Sequence, residues 1–275
     1  MYQKGNKVSS TLTTPKDSVS LTPPQKLKSV EILGVRVHNV TMVDTLRLLT
    51  EMALSNKPHH VVTVNPEFIM VAQHNKVFKR VLNNAALAIP DGAGVLWASR
   101  KLGKPIAERV TGVDTVRRIS AVARGKNLNM FLLGGAPGVA EKASVELQRE
   151  NPGLNIVGTY AGSPDISEEA EICERIRSVR PHILLVAYGS PRQDLWIDRN
   201  LIKLGIPVAI GVGGTFDFIT GKVPRAPQWM RERNIEWLYR LWLEPWRWRR
   251  MTALPRFMVR VLREIDSGSK KDKLL

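Results

Sequence analysis

The residue best suited to proton transfer is Asp91, which follows the short apolar run LAIP. Asp-Gly is a common turn pair, so this carboxylate is either a turn residue or a general base at a pocket mouth. Asn65, just before a proline, could either cap the next helix or face a ligand. Gln193 and Asp194 begin another predicted helix, where they could complement its dipole. Arg109 is either a solvated cation or the partner of a diphosphate.

Glycines follow several of the apolar runs in this sequence. FLLGGAPGVAEKA places a glycine pair before a predicted helix, where free N–H groups can bind phosphate, although an ordinary tight turn would look the same. The stretch lacks both GxGxxG and the Walker signature, so it supports binding of NAD or ATP only weakly. Glycine nevertheless allows a backbone to approach a phosphorylated ligand closely.

The residue types required for metal or acyl-enzyme chemistry are not arranged for it. The five histidines form no HExxH or Cys/His spacing, and neither an Asp-x-Asp nor a GxSxG motif occurs. The single cysteine, Cys173, lies on the apolar stripe of a predicted helix, where a buried structural thiol is expected. We therefore predict no metal and no cofactor.

The elements that position these residues alternate in type from Val30 to about Gly221. Short apolar runs alternate with longer amphipathic ones, which predicts βαβ units. EILGVRVHNV is typical of a strand or hairpin, Thr41 is a predicted N-cap, and PEFIMVAQHNKVFKRVLNNA is predicted as one helix. The fold class is therefore α/β, a Rossmann-like, mainly parallel sheet with helices on both faces. Ligands of such sheets bind beyond the carboxyl ends of the strands, where the residues above lie.

Composition divides the chain into four parts. Residues 1–28 are predicted to be a disordered tail, 29–222 the α/β catalytic core, 223–265 a helical appendage rich in Arg and Trp, and 266–275 a polar tail. The appendage contains ten arginines and no lysine between Arg225 and Arg263, together with five of the seven tryptophans. Arg233, Arg240 and Arg247 recur every seven residues, which predicts a single helical face. Arg250 joins this stripe if the helix continues past a proline.

The net charge of +16 favours an anionic partner, which could be nucleic acid, a phospholipid surface or a phosphorylated substrate. Arg suits bidentate phosphate contacts and Trp suits the headgroup region, so the appendage favours a membrane surface over RNA, although a simple docking helix is also compatible. The sequence shows neither a signal peptide nor a membrane-spanning run. We therefore expect a cytoplasmic protein whose contact with a membrane lies at the surface. A homo-oligomer is not excluded.

Seven stretches in order resemble the WecG/TagA/CpsF family of bacterial glycosyltransferases. They are TVNPEF, IPDGAGVLWASRKLG, ERVTGVD, FLLGGAPGVAEKA, AYGSPRQDLWI, GVGGTFDFITGKVPRAP and EWLYRLWLEPWRWRR, and the resemblance covers roughly residues 30–250. It implies transfer of an N-acetylhexosamine, of the N-acetylmannosamine type, from a UDP-sugar donor to a polyprenyl-diphosphate-linked N-acetylglucosamine acceptor. It further implies inversion at the anomeric carbon without a metal. The appendage would dock on the membrane, which implies a peripheral location on the inner face of the plasma membrane and no nucleic acid as a partner.

The resemblance also implies roles for individual residues. Asp91 would be the base, Arg109 would neutralise the departing UDP, and Asp194 departs from the Glu that is more usual there. The polar groups around the donor sugar would be Thr63, Asn65 and Gln193. The nucleotide would lie on Gly134, Gly135, Gly189, Gly213 and Gly214, with Asp217 accepting from uracil, and the lipid diphosphate would meet Arg240, Arg247 and Arg250.

The chain is therefore predicted to be a UDP-sugar-dependent hexosyltransferase of cell-envelope polysaccharide or teichoic acid synthesis. Two alternatives stay open at the level of the residues. One is a non-catalytic, basic RNA- or membrane-binding α/β protein, and the other is a nucleotide-dependent oxidoreductase that uses the glycine-rich strand ends.

Overall fold

The computed structural model describes residues 27–233, 235–245, 248 and 252–272. Two short strands, β1 (Ser29–Ile32) and β2 (Val35–His38), pair antiparallel as a hairpin. A hairpin was one of the two structures predicted for this stretch, the other being a single strand. Residues 1–26 of the predicted tail lie outside the described residues.

After the hairpin, helices and strands alternate along the chain. In order these are α1 (Met42–Ala53), β3 (His59–Val64), α2 (Pro66–Ala72), α3 (Lys76–Asn84), β4 (Leu87–Pro90), α4 (Ala93–Lys101), α5 (Gly112–Gly125), β5 (Met130–Gly134), α6 (Val139–Glu150), β6 (Ile156–Tyr160), a 3₁₀ turn (Ile166–Glu168), α7 (Glu169–Val179), β7 (Ile183–Ala187), α8 (Arg192–Leu204), β8 (Val208–Gly211) and α9 (Thr215–Ile219). Three further helices follow: α10 (Gln228–Glu232), α11 (Glu236–Leu243) and α12 (Ala253–Asp272).

Strands β3 to β8 form one parallel sheet in the order β4-β3-β8-β7-β5-β6. Successive strand side chains point to opposite faces, and both faces are covered. One face carries Val61, Leu132 and Ile210 into a core with α1, α5, α6 and α9, while the other packs against α2, α3, α4, α7 and α8. The predicted α/β fold is confirmed.

Local signals in the sequence explain several helix boundaries. Thr41 caps α1 as predicted, since its hydroxyl accepts from the Asp44 N–H while the Asp44 carboxylate accepts from the Thr41 N–H. The single helix predicted over PEFIMVAQHNKVFKRVLNNA is wrong. The helix stops at Ala72, and Asn75 caps a new one by accepting from the Phe78 N–H at 2.9 Å. An interior Asn competes for backbone hydrogen bonds, so it favours a cap over a helix interior.

The C-terminal segment, defined here as residue 223 onward, folds back onto the core. Phe257 and Val261 of α12 are buried in the core that α2 and α4 share. α12 continues to Asp272, across the predicted boundary at residue 265. None of the helices in the described residues combines the length and the apolar character that crossing a bilayer requires.

The single arginine stripe predicted in this segment is wrong where the structure describes it. Arg233 is the C-cap of α10, whereas Arg240 lies on the separate helix α11. α11 ends at Leu243, two residues before Pro245, as expected from a ring that blocks the preceding turn. Arg247 and Arg250 lie outside the described residues.

Candidate active site

A cavity of about 750 Å³ opens beyond the carboxyl ends of the parallel strands. Six strands at the usual spacing of about 4.8 Å give this edge a length of about 24 Å. The cavity wall contains most of the residues singled out from the sequence: Thr63, Asn65, Asp91, Arg109, Gly135, Gly189, Gln193, Gly213, Gly214, Asp217 and Arg240. The strand order thus brings together residues that are far apart in the chain.

Asp91 lies at the β4 end of this cavity and is partly buried. Its own N–H donates to the Val64 carbonyl at 2.8 Å, which extends the ladder between β3 and β4 and fixes the backbone. Gly92 follows with φ of +119°, a conformation that turns the chain into α4 and that a residue with a Cβ would rarely adopt. The carboxylate accepts a long hydrogen bond of 3.5 Å from the Gly112 N–H.

Loss of solvent raises the pKa of Asp91 from 3.8 to about 6. The positive charge of Arg109 and the Gly112 N–H act in the opposite direction, while Glu236 and Asp114 add to the rise. The carboxylate is therefore ionised at neutral pH yet basic enough to accept a proton, which suits a general base.

A chain of ion pairs runs beside Asp91. Arg225 donates to both oxygens of Asp114, at 2.6 and 3.3 Å, and its Nε lies 3.6 Å from Glu236 Oε1. Glu236 Oε2 in turn lies 3.5 Å from Arg109 Nη2. Burial raises the pKa of Asp114, but hydrogen bonds from Arg225 and Thr111 outweigh this and leave it below its ordinary value. The network brings two arginines to the cavity wall next to the candidate base.

Thr63 and Asn65 flank the end of β3. The Thr63 hydroxyl donates to the Gly211 carbonyl at 3.3 Å. Asn65 caps α2, since its Oδ1 accepts from the Phe68 N–H at 3.0 Å. Asn65 therefore caps the helix and lines the cavity at the same time, because the cap uses only its amide oxygen. The amide nitrogen takes no part in that hydrogen bond.

Gln193 ties together the loops that follow β7 and β8. Its Oε1 accepts from the Gly189 N–H at 3.1 Å and from the Gly213 N–H at 2.9 Å. These two donors fix the orientation of the amide. Nε2 is buried and has no hydrogen-bond partner in the described part of the protein. The side chain is fully buried and holds the two glycine loops together.

Asp194, which the sequence left without a role, does not line the cavity. It is fully buried, and its Oδ1 lies 3.4 Å from Nε2 of His60 on β3. A Cβ on Gly211 would overlap Asp194 Oδ1 and come within 2.6 Å of Gln193 Nε2. The glycine at the end of β8 therefore makes room for the first turn of α8.

Most of the predicted nucleotide-binding glycines line the cavity, but Gly134 does not. A Cβ on Gly134 would lie 2.8 Å from the Ala187 carbonyl carbon, so this glycine allows β5 and β7 to approach closely. Gly134 and Gly135 both have positive φ, of +97° and +84°. Of these two glycines, only Gly135 lines the cavity and is exposed to a ligand there.

Asp217 and Arg240 lie on the same part of the wall. Asp217 Oδ1 is 3.5 Å from Lys222 Nζ, and the Arg240 guanidinium lies 4.7 Å from the centre of the Phe218 ring. Arg240 Nε also donates to Glu244 at 2.9 Å. A Cβ on Gly214 would lie 3.1 Å from Arg240 Nη2, so the absence of a side chain at this position leaves room for the guanidinium. A guanidinium thus reaches the glycine loop.

Sequence reasoning missed Glu236, Arg225, Thr111 and Asp114. Glu236 is one of only three acidic residues between Arg225 and Arg263, and such an isolated acid among arginines is the signal that could have found it. It also missed Tyr188, whose hydroxyl is buried without a partner in the described residues and whose pKa burial raises.

The acidic, histidine and cysteine side chains also bear on metal binding and thiol chemistry. Within the described ranges, no three side chains of His, Cys, Asp or Glu come together in a way that could hold a metal ion. Cys173 is buried on α7, and loss of solvent raises the pKa of its thiol, so the predicted structural thiol is confirmed.

Curated relatives share most of the length of this chain. A protein of Bacillus spizizenii is 34% identical over 215 residues, covering 78% of this chain and 83% of the relative. A Bacillus subtilis protein is 32% identical over 234 residues (83% and 91%), and one of Staphylococcus aureus is 30% identical over 234 residues (84% and 91%). Each is named N-acetylglucosaminyldiphosphoundecaprenol N-acetyl-beta-D-mannosaminyltransferase.

The family comparison agrees with these relatives and with the cavity. The model of the glycosyl transferase WecG/TagA/CpsF family matches residues 30–271. This range includes every strand of the parallel sheet and the described C-terminal helices, except for the last residue of α12. The predicted resemblance is confirmed: the chain belongs to the WecG/TagA/CpsF family of glycosyl transferases.

Proposed function

We propose that this enzyme transfers N-acetylmannosamine, or a closely related N-acetylhexosamine, from UDP to N-acetylglucosamine linked to a polyprenyl diphosphate. The names of the relatives and the family membership support the donor sugar and the acceptor. The proposed product is an intermediate of a cell-envelope polysaccharide or teichoic acid.

The observation that carries the proposal is the pairing of Asp91 with Arg109 in one cavity. Asp91 has a pKa of about 6, and Arg109 is near enough to lower it. In an inverting transfer, the acceptor hydroxyl oxygen attacks the anomeric carbon as its proton passes to Asp91. The bond from that carbon to the UDP oxygen breaks, and the electron pair leaves with UDP.

The charge that develops on departing UDP requires a nearby cation. Arg109 and Arg225 both line the cavity, and their guanidinium groups suit two-point contacts with phosphate oxygens. Because these two cations could neutralise the departing UDP, we propose that the transfer proceeds without a metal ion. The glycine loops at Gly135, Gly189 and Gly213 would receive the diphosphate through backbone N–H groups, with Thr63, Asn65 and Gln193 near the donor sugar and Asp217 near the uracil.

The acceptor is proposed to enter from the side of the C-terminal segment. Arg240 lines the cavity there and would meet the lipid diphosphate together with Arg247 and Arg250. Trp242 is 74% exposed, and Trp229, Leu238 and Trp248 are exposed as well. An indole at the surface suits the headgroup region of a bilayer, so we extend the proposal to a peripheral location on the inner face of the plasma membrane.

The transfer assay uses labelled UDP-N-acetylmannosamine and a short-chain polyprenyl-diphosphate N-acetylglucosamine. We expect label to move to the lipid with the wild type and with Asp198→Asn, but not with Asp91→Asn. Asp198 is a matched control, because it lies on α8 outside the cavity wall and pairs only loosely with Arg80 at 3.8 Å. Failure of the wild type with every UDP-hexosamine would refute the proposal and favour a non-catalytic RNA- or membrane-binding protein.

A further inference from the structure

Glu236 is an acidic side chain of the C-terminal segment that lies close to the reaction centre. It begins α11 and lines the cavity with about one fifth of its side chain exposed. Its two carboxylate oxygens point to different arginines, Oε2 to Arg109 at 3.5 Å and Oε1 to Arg225 at 3.6 Å. One carboxylate therefore lies between two cations that come from distant parts of the chain.

The two arginines are held very differently. Arg225 is fixed from its other side by two hydrogen bonds to Asp114, which Thr111 holds in turn at the start of α5. The described hydrogen bonds of Arg109 comprise only one from Nη2 to the Arg231 carbonyl, at a long 3.5 Å. Glu236 is thus tied to the core through Arg225, and it is the ion-pair partner that the structure gives to Arg109.

We propose that Glu236 is a positioning residue that holds the guanidinium of Arg109 beside Asp91. This inference rests on the proposed function, because it assigns Glu236 a task in that reaction. Glu236 would not touch the reacting atoms. It would act through Arg109, whose long and flexible side chain otherwise has many accessible conformations.

The ionisation of Asp91 reports the position of Arg109. Burial raises the pKa of Asp91, Arg109 lowers it, and Glu236 raises it by less than Arg109 lowers it. The other charged groups of this network are Arg225, which contacts Glu236, and Asp114 on α5, on which Arg231 also acts. On its own helix, Glu236 is followed by Arg240, which pairs with Glu244. None of these groups is changed in the test.

Two substitutions separate positioning from a simple effect of charge. Glu236→Gln removes the charge but keeps an amide oxygen that can accept a hydrogen bond from Arg109, so Arg109 stays and the pKa of Asp91 falls. Glu236→Ala removes the oxygen as well, so Arg109 moves away and the pKa of Asp91 rises. A role through charge alone would lower it in both variants.

The experiment follows the Asp91 carboxyl by ¹³C NMR during pH titration of the full chain, with assignment by comparison with Asp91→Asn. The same variants are assayed for transfer, where we expect kcat to fall by less than about fivefold in Glu236→Gln and by roughly 10- to 100-fold in Glu236→Ala. Glu232→Gln and Glu232→Ala are the matched controls, since Glu232 is exposed on α10 and bonds Gln228. Both controls should match the wild type.

Shifts of the Asp91 pKa in opposite directions support the inference. Shifts in the same direction, or none in either variant, overturn it. The NMR result stands even if the wild type transfers no sugar, and that failure would count against the proposed function alone. Circular dichroism and thermal unfolding check that each variant is folded.

Discussion

Asp91→Asn should make the folded protein more stable while it strongly slows transfer. The folded protein disfavours the ionised carboxylate, because burial raises the pKa of Asp91 from 3.8 to about 6. A difference of about two units corresponds to about 3 kcal/mol, at about 1.4 kcal/mol per unit. Asparagine carries no charge and avoids this cost.

The pH dependence of the effect follows from the sign of the shift. A group whose pKa is raised on folding contributes its full stability below pH 3.8, and this contribution is lost as the pH rises through about 6. The gain from Asp91→Asn should therefore be small at pH 4 and reach at most about 3 kcal/mol at pH 8. The substitution Asp91→Asn should also lower kcat by roughly 10²- to 10⁴-fold, while UDP binding persists.

Urea unfolding of both proteins at pH 4 and pH 8 measures the stability, and isothermal titration with UDP measures the binding. Asp114→Asn is the control with the opposite sign: the pKa of Asp114 is below its ordinary value, so its loss should destabilise the protein at pH 8. The reasoning fails if Asp91→Asn also destabilises the protein at pH 8, or if the variant keeps a near-normal kcat.

Three further outcomes can be tested on the same protein. The kcat/KM of the wild type should decline as the pH falls below about 6, because Asp91 must be ionised to accept a proton, and a flat profile from pH 5 to 8 would exclude this base. Gly211→Ala should cost about 1–3 kcal/mol in urea unfolding, since its Cβ would crowd Gln193 Nε2 at 2.6 Å; unchanged stability would show that α8 shifts freely. Trp242→Ala should weaken co-sedimentation with anionic liposomes more than Ile202→Ala, an exposed apolar residue on α8, and equal effects would argue against docking by the C-terminal segment.

The sequence predicted the parallel sheet well because each buried strand is a short apolar run that ends in glycine or a polar residue. Since parallel strands end at the same edge, the same pattern predicted that Asp91, Asn65 and Gln193 lie near one another, and all three line one cavity. The prediction was reliable where a local pattern and a general rule of topology agreed.

The remaining features depend on contacts between distant parts of the chain. The pair of Arg225 and Asp114 joins positions 111 residues apart, and no periodicity encodes that contact. The break at Asn75 was missed because the apolar spacing continues across it. Gly134 resembles its neighbour Gly135 in sequence, and only the approach of the Ala187 backbone distinguishes the two.

The bridge made by Gln193 has a consequence for how the two glycine loops can move. Both lone pairs of its oxygen are used by the Gly189 and Gly213 N–H groups, and the side chain is fully buried, so a ligand in the cavity meets the loops and not the amide. Rotation of the amide would turn its N–H groups toward two N–H donors, so the bridge has a single orientation. Movement of one loop away from the amide oxygen would break one of these hydrogen bonds inside the protein, which is costly. Gln193 thus couples the two loops, so that a ligand bound to one of them also restrains the other.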